Sequence, residues 1–168
     1  MATTVIKDRV METYGDNIPT EQIAHTRHVK ALTPEGLAEA CMKDIDPDFH
    51  KKLEKGKIML AGSNFGCNSS REWAPAALSY SGIRLIIAKD FARIFFRNAI
   101  NIGLPILECP TIDTFAKVGD ELEADLTKGV LRNITQNTET KATVLPDFLL
   151  NIMASGGLME ILAKEKKG

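Results

Sequence analysis

The chain has little of the material from which most functional signatures are built. It holds three cysteines, Cys41, Cys67 and Cys109, widely spaced and without a C-x-x-C. A soft metal site needs three or four converging ligands, so no metal is assigned to this chain. The three are expected to be reduced thiols, two of them packed as small hydrophobes. Charge of one sign is also missing: 21 Lys plus Arg stand against 22 Asp plus Glu, for a net charge of −1. That balance gives no electrostatic footprint for nucleic acid or an anionic membrane. No apolar run approaches the roughly 20 residues that span a bilayer. The opening MATTVIKDRV lacks the apolar core of a secretory signal, so the cytoplasm is the expected compartment. The absence of GxxxxGK[ST] excludes a P-loop, and the absence of G-x-S-x-G argues against a serine-hydrolase elbow.

What is present reads as one α/β domain over residues 1–168, with 44% hydrophobic and 26% charged residues and no internal repeat. A chain of this size buries roughly two thirds of its unfolded surface, enough for an ordinary core. Residues 5–13 alternate and predict a strand. Residues 14–34 hold Gly15, Pro19 and Pro34 and show no period, which predicts a functional loop with short extended pieces. Thr33-Pro34 predicts a capped helix over about 34–43, and Asp46-Pro47 a second, short helix with Phe49 and Leu53. KIMLAG (57–62), IRLIIA (83–88) and LPILE (104–108) are short apolar strands. Helical patterns lie between them, at 72–81 and after Asp90, which is placed to cap. The β-loop-α-β-α-β order predicts a parallel sheet with right-handed crossovers. Residues 119–136 predict an antiparallel hairpin around Lys128-Gly129, KATVL (141–145) a further strand, and Pro146 a C-terminal helix broken at Gly156-Gly157.

The stretch NFGCNSSREW (64–73) is polar where the pattern passes from strand to helix. In an open α/β sheet, ligands bind beyond the carboxyl ends of strands. A helix start offers free N–H groups and partial positive charge. Ser69 and Ser70 are placed to cap that helix and to offer hydroxyls, Arg71 brings a forked cation, and Gly66 lets backbone approach a ligand. The residues point to an anion site. A purely structural reading stands beside it: a capped helix with Arg71 paired to Glu72 or another neighbour. Pro75 removes one backbone bond, so regular helix is expected from nearer Trp73. Cys67 is a candidate nucleophile or redox thiol without an identifiable partner histidine.

AGSNFGCNSSREWAPAAL, followed by GIRLIIAKDFARIFFRNAINIGLPILE, resembles the small subunit of isopropylmalate isomerase and its relatives in the aconitase superfamily. GDNIPTEQI resembles that family's GDNIDTDQI, and ASGGLMEIL its closing helix. The resemblance implies a swivelling β/β/α domain with a parallel βαβ core and an antiparallel hairpin. It implies a partner, a large subunit that carries a [4Fe-4S] cluster, with none bound by this chain. It implies a hydro-lyase that reversibly dehydrates a small hydroxy di- or tricarboxylic acid. By position, Ser69 matches the catalytic serine, an alkoxide base, and Ser70 and Arg71 match the substrate-carboxylate contacts. The alternative is a non-catalytic anion-binding or regulatory module that kept the pocket.

Departures from the pattern carry information. Asn68 and Trp73 stand where many relatives have Gly and His. Asn68 either donates into the site or occupies a left-handed turn position, and Trp73 reads as packing. Pro19 and Glu21 replace two aspartates. The specificity loop aligns with His28-Val29-Lys30-Ala31. Lys30 either binds a distal carboxylate or is a solvated lysine, with Arg27 and His28 as further candidates. The substrate stays open among isopropylmalate, citramalate-like or dimethylmalate-like acids and a homoaconitate-type tricarboxylate.

Overall fold

Strand β1 (Val5–Thr13) is shared between two kinds of sheet in the computed structural model, which describes residues 4–166. Its first half pairs antiparallel with β5 (Glu121–Asp125), and its second half pairs parallel with β2 (Ile58–Ala61). A register shift between Val10 and Glu12 marks the change. Such a bulge bends a strand and increases its twist. Beyond β2 the sheet continues in parallel through β3 (Leu85–Ala88) and β4 (Ile106–Glu108). Beyond β5 it continues antiparallel through β6 (Val130–Asn133) and β7 (Thr138–Lys141). The result is one mixed, seven-stranded sheet in the order β4-β3-β2-β1-β5-β6-β7.

The chemistry of the strands matches their places. IMLA and LIIA are buried at every residue, as parallel strands covered on both faces must be. ELEAD buries only Leu122 and Ala124, the alternation of a strand with one wet face. The crossovers β1→β2→β3→β4 all step the same way along the sheet, so right-handed connections put their helices on a common face. There α4 (Trp73–Tyr80) packs against α1 (Thr20–Ile23), α2 (Pro34–Ala40) and α5 (Arg93–Asn101). The remaining helices are α3 (Phe49–Lys52), α6 (Ile112–Phe115), α7 (Asp147–Ala154) and α8 (Leu158–Glu165). None of the described helices is long and apolar enough to cross a membrane.

Several local expectations hold. Thr33 caps α2 by accepting the Gly36 N–H at 3.1 Å. Asp125 accepts the N–H groups of Thr127 and Lys128 to shape the β5–β6 turn, and Gly129 takes φ +61°. Others fail for stated reasons. Asp46 does not start α3; its carboxylate accepts the Tyr14 hydroxyl at 2.6 Å and Lys52 Nζ at 2.8 Å, and the helix begins at Phe49. Asp90 does not cap α5; it accepts the Asn64 N–H at 2.7 Å, and Ala92 holds the cap position. The last strand comes earlier than 141–145. Asn137 at φ +53° reverses the chain so tightly that pairing begins at Thr138 and ends at Lys141. Ala142 and Thr143 then bond Gly129 and Glu108 instead of extending the ladder.

The hairpin half is anchored by one buried carboxylate. Asp120 accepts Asn133 Nδ2 at 2.8 Å, Gln136 Nε2 at 2.6 Å and the Lys117 N–H at 3.1 Å. Burial opposes its charge, but these donors outweigh burial and hold the carboxyl below its ordinary value. A carboxyl lowered by folding stabilises the protein fully above its unfolded value, about 3.9, and loses that contribution as pH falls through the folded value. We expect Asp120→Asn to lower the urea midpoint at pH 7 and to lose less stability than the parent between pH 5 and pH 2. Identical acid limbs in the two proteins would show that Asp120 carries no such linkage.

Candidate active site

The strands β1, β2 and β3 end side by side, and the loops that leave them stay paired. From the first loop, Asn17 N–H reaches the Ser63 carbonyl at 2.8 Å, and Thr20 N–H reaches the Cys67 carbonyl at 3.1 Å. In return Gly66 N–H reaches the Ile18 carbonyl at 2.8 Å. On the other side Ala92 N–H reaches the Phe65 carbonyl at 2.9 Å, and Phe65 N–H reaches Asp90 O at 3.3 Å. The segment 63–67 is therefore a ragged continuation of the sheet, bridged at Pro19–Cys67 and Phe65–Phe91. Below it, Phe65 meets Phe95 edge-on at 5.2 Å between ring centroids, and Phe91 stacks on Phe95 at 6.0 Å. Gly66, at φ +81°, lies flat on this cluster: a Cβ there would sit 2.2 Å from Phe95 Cγ. Asn68 follows at φ +79°, so it occupies the left-handed position, where Asn is tolerated.

Ser69 comes next. Its Oγ lies 2.6 Å from Oγ1 of Thr20, which is completely buried at the start of α1. Neither Ser69 nor Ser70 caps α4, in contrast to expectation; Glu72 holds the cap position in helical conformation, with no side-chain cap. The amides of Ser70, Arg71 and Glu72 find no acceptor among the described residues. Three successive amides without an acceptor thus lie ahead of a helix start, where the dipole favours negative charge. Asn98 Nδ2 steadies the loop by donating to the Ser70 carbonyl at 3.3 Å. Arg71 Nη1 lies 3.5 Å from Glu21 Oε1, and its guanidinium sits 5.9 Å from the centre of the Trp73 ring. Arg71 thus pairs with Glu21 rather than Glu72. Glu21 Oε2, Arg71 Nη1 and Trp73 Nε1 are buried atoms without a hydrogen-bond partner, all in this one cluster. Buried polar atoms are ordinarily satisfied, and these three are the exceptions among the described residues.

The candidates from the loop at 25–31 lie elsewhere. Lys30 is largely exposed and donates to Glu39 at 2.9 Å. Arg27 and His28 each reach Asp44 Oδ1 at 2.6 Å. The bond from Arg27, joined by that from His28 and opposed by burial, holds the Asp44 carboxyl below its usual value. Cys67 is half-buried beside the site, while Cys41 and Cys109 are sealed in the core. Two residues escaped sequence reasoning. Thr20 was hidden inside an aperiodic loop, although it sits in the quoted GDNIPTEQI. Arg93 lines a hollow of about 290 Å³ with Gly66, Asn68, Ser69, Ala92 and Ile94. It reads in the sequence as one more exposed helix residue.

A family described as the aconitase C-terminal domain matches residues 14–111. The chain belongs to the aconitase C-terminal domain family. The match runs from the end of β1 to just past β4 and so takes in every residue of the site, leaving the hairpin outside. The chain is 50% identical to a 3-isopropylmalate dehydratase small subunit of Caldicellulosiruptor saccharolyticus, over 92% of this chain and 89% of that one. It is 46% identical to an isopropylmalate/citramalate isomerase small subunit of Methanocaldococcus jannaschii, over 96% of each. A crystal structure of 3-isopropylmalate dehydratase from the same archaeon superposes with a TM-score of 0.87 at 40% identity, covering 96% of this chain and 95% of that one. Within the aconitase C-terminal domain family, then, this is a chain of the hydro-lyase small-subunit type.

The three thiols should differ sharply in reactivity. Burial pushes Cys41 up to about 12, against a smaller pull from Ser81, and thiols react as thiolates. At pH 8 the native protein is expected to titrate Cys67 with a disulfide reagent and to expose Cys41 and Cys109 only on unfolding. Rapid labelling of Cys41 in the native state, read by peptide mass, would contradict this packing.

Proposed function

We propose that the chain is the small subunit of a heteromeric [4Fe-4S] hydro-lyase that reversibly dehydrates a substituted malate. The observation that carries the reading is the Ser69 hydroxyl, fixed at 2.6 Å by buried Thr20 and set beside Arg71 and a run of free amides. The names of its relatives support 3-isopropylmalate or citramalate as the substrate, and the proposed class extends to a related acid such as 2,3-dimethylmalate. Ala92 and Ile94 give the hollow an apolar wall suited to an alkyl substituent.

In this reading Ser69 Oγ, as alkoxide, removes the proton from the carbon beside a substrate carboxylate. That carboxylate is received by Arg71 and the Ser70 hydroxyl. Charge passes from Oγ to the substrate carboxylate, so donors fixed in advance lower the barrier without reorganising. Thr20, turned to donate, stabilises the alkoxide and aims it. Glu21 holds the guanidinium edge and Trp73 covers its face, so the fork is positioned before substrate arrives. This chain does not fit the cluster itself: two of its thiols are buried in the core, and no three His, Cys, Asp or Glu converge among the described residues. The cluster belongs to the large subunit in this proposal, where it supplies Lewis-acid chemistry at the departing hydroxyl.

The test is reconstitution with a cluster-bearing large subunit and a panel of substituted malates. Ser69→Ala should lower kcat by about 10²- to 10⁴-fold while the two chains still co-purify. Near-parental turnover would remove Ser69 from the chemistry. Thr20→Val keeps the buried shape and deletes one hydrogen bond of about 0.5–1.5 kcal/mol. It should lower kcat by roughly 3- to 10-fold and leave KM near its parental value. A change confined to KM would argue against a role in aiming Ser69.

A further inference from the structure

The loop between β2 and α4 is held at two successive residues by side chains from two flanking helices. Thr20 of α1 meets the Ser69 hydroxyl at 2.6 Å, and Asn98 of α5 donates to the Ser70 carbonyl at 3.3 Å. The group that Asn98 turns to this carbonyl must be its NH2, because a carbonyl oxygen only accepts. Asn98 follows Phe95 by three residues, so both lie on one face of α5. Phe95 is the ring that closes the space around Gly66. One face of α5 therefore supports the loop at Gly66 and again at Ser70. Asn98 is half-buried there, and Ala99 and Ile100 beside it are sealed in the core, so its side chain starts from a fixed backbone.

A trans peptide is planar, and its C=O and N–H point in opposite directions. Holding the Ser70 carbonyl toward α5 therefore turns the amide of the same plane, that of Arg71, away from α5. The Arg71 amide is one of the three that find no acceptor among the described residues. Among those residues Asn98 is also the one donor to the Ser70 carbonyl. The direction of a free N–H beside Ser69 is thus set by a single side chain.

We propose that Asn98 is a positioning residue of the dehydration site: by holding the Ser70 carbonyl it aims the Arg71 backbone N–H at the substrate carboxylate that the Arg71 side chain receives. The proposal rests on the dehydration reading above. In that reading the charge on this carboxylate grows as the proton leaves for Ser69. A fixed N–H then binds the transition state more strongly than the substrate. Thr20 and Asn98 have matched tasks. One aims the hydroxyl that takes the proton, and the other aims the amide that receives the charge left behind.

The experiment uses the reconstituted two-chain enzyme and two non-reacting probes, with binding read by calorimetry. One probe is the substituted succinate, which lacks the hydroxyl. The other is the nitronate analogue, in which a nitro group replaces the carboxylate beside the reacting carbon and carries the charge of the removed proton. Asn98→Leu keeps the bulk and deletes the donor. It should weaken the nitronate by about 3- to 10-fold, the loss of one hydrogen bond, and the succinate by less than about 2-fold. On the substituted malate kcat should fall by roughly the same 3- to 10-fold with KM nearly unchanged. Asn98→Gln, which keeps an amide donor on a longer arm, should recover part of the loss. A merely structural role would reduce the number of competent sites, read as stoichiometry, and leave both affinities parental. That result, or an equal loss on both probes, would overturn the assignment. If Asn98→Leu fails to co-purify with the large subunit, Asn98→Ala carries the same comparison. Ser69→Ala in the same complex separates the two layers. If it stays active, the dehydration reading and the Asn98 assignment fall together. If it is inactive while Asn98→Leu binds both probes as the parent does, only Asn98 is wrongly assigned.

Discussion

The site depends on three loops that keep hydrogen-bonding after their strands have ended. Where β1, β2 and β3 stop, residues 17–20, 63–67 and 90–92 go on exchanging N–H and C=O groups. Thr20 meets Ser69, and Glu21 meets Arg71, because Pro19 is bridged to Cys67. Arg93 reaches the same hollow because Phe65 is bridged to Phe91. Beneath this extension the Phe65–Phe91–Phe95 cluster leaves no room for any side chain at residue 66. A sheet edge that ordinarily dissolves into mobile loops is here a rigid platform. Rigidity of this kind is what a preorganised anion site needs, since donors that must move cannot lower a barrier.

Electrostatics then divide the labour among residues of like charge. Arg71 is held between a carboxylate and an aromatic face, which fixes its fork without neutralising it fully. Among the described residues neither Arg93 nor Arg97 has an ion pair, while Lys30 and Lys89 are held in surface ion pairs. Exposed pairs of that sort contribute little to stability. The overall charge of −1 is consistent with this local arrangement.

Much of this was legible in the chain. Apolar runs at 57–62, 83–88 and 104–108 gave the parallel strands, because burial on both faces leaves a continuous signal. Gly66 and Asn68 were visible because left-handed backbone restricts residue choice so strongly. What escaped was set by contacts distant in sequence. Ser69 and Asp90 both looked like helix caps, yet each found a partner from another loop, Thr20 in one case and Asn64 in the other. Local propensity ranks capping well but cannot weigh a competing tertiary partner. The apolar residues of 141–145 promised a strand, and a left-handed Asn137 moved it. Arg93 carried no signal, since its meaning comes only from the hollow it borders.

The geometry also argues that this chain by itself is half of a site. A serine hydroxyl is a very weak acid in water, and its anion is useful only where solvent cannot quench it. Here Ser69 is partly exposed, Asn68 and Ser70 are exposed, and the hollow beside them is open. Buried atoms of Glu21, Arg71 and Trp73 stand without partners at the same place. A second surface laid over this edge would exclude water and strengthen each donor by lowering the local dielectric. The donors of the polar loop are solvated in the free chain and act at full strength only when covered. That is the physical reason for reading the protein as a small subunit whose chemistry begins on assembly.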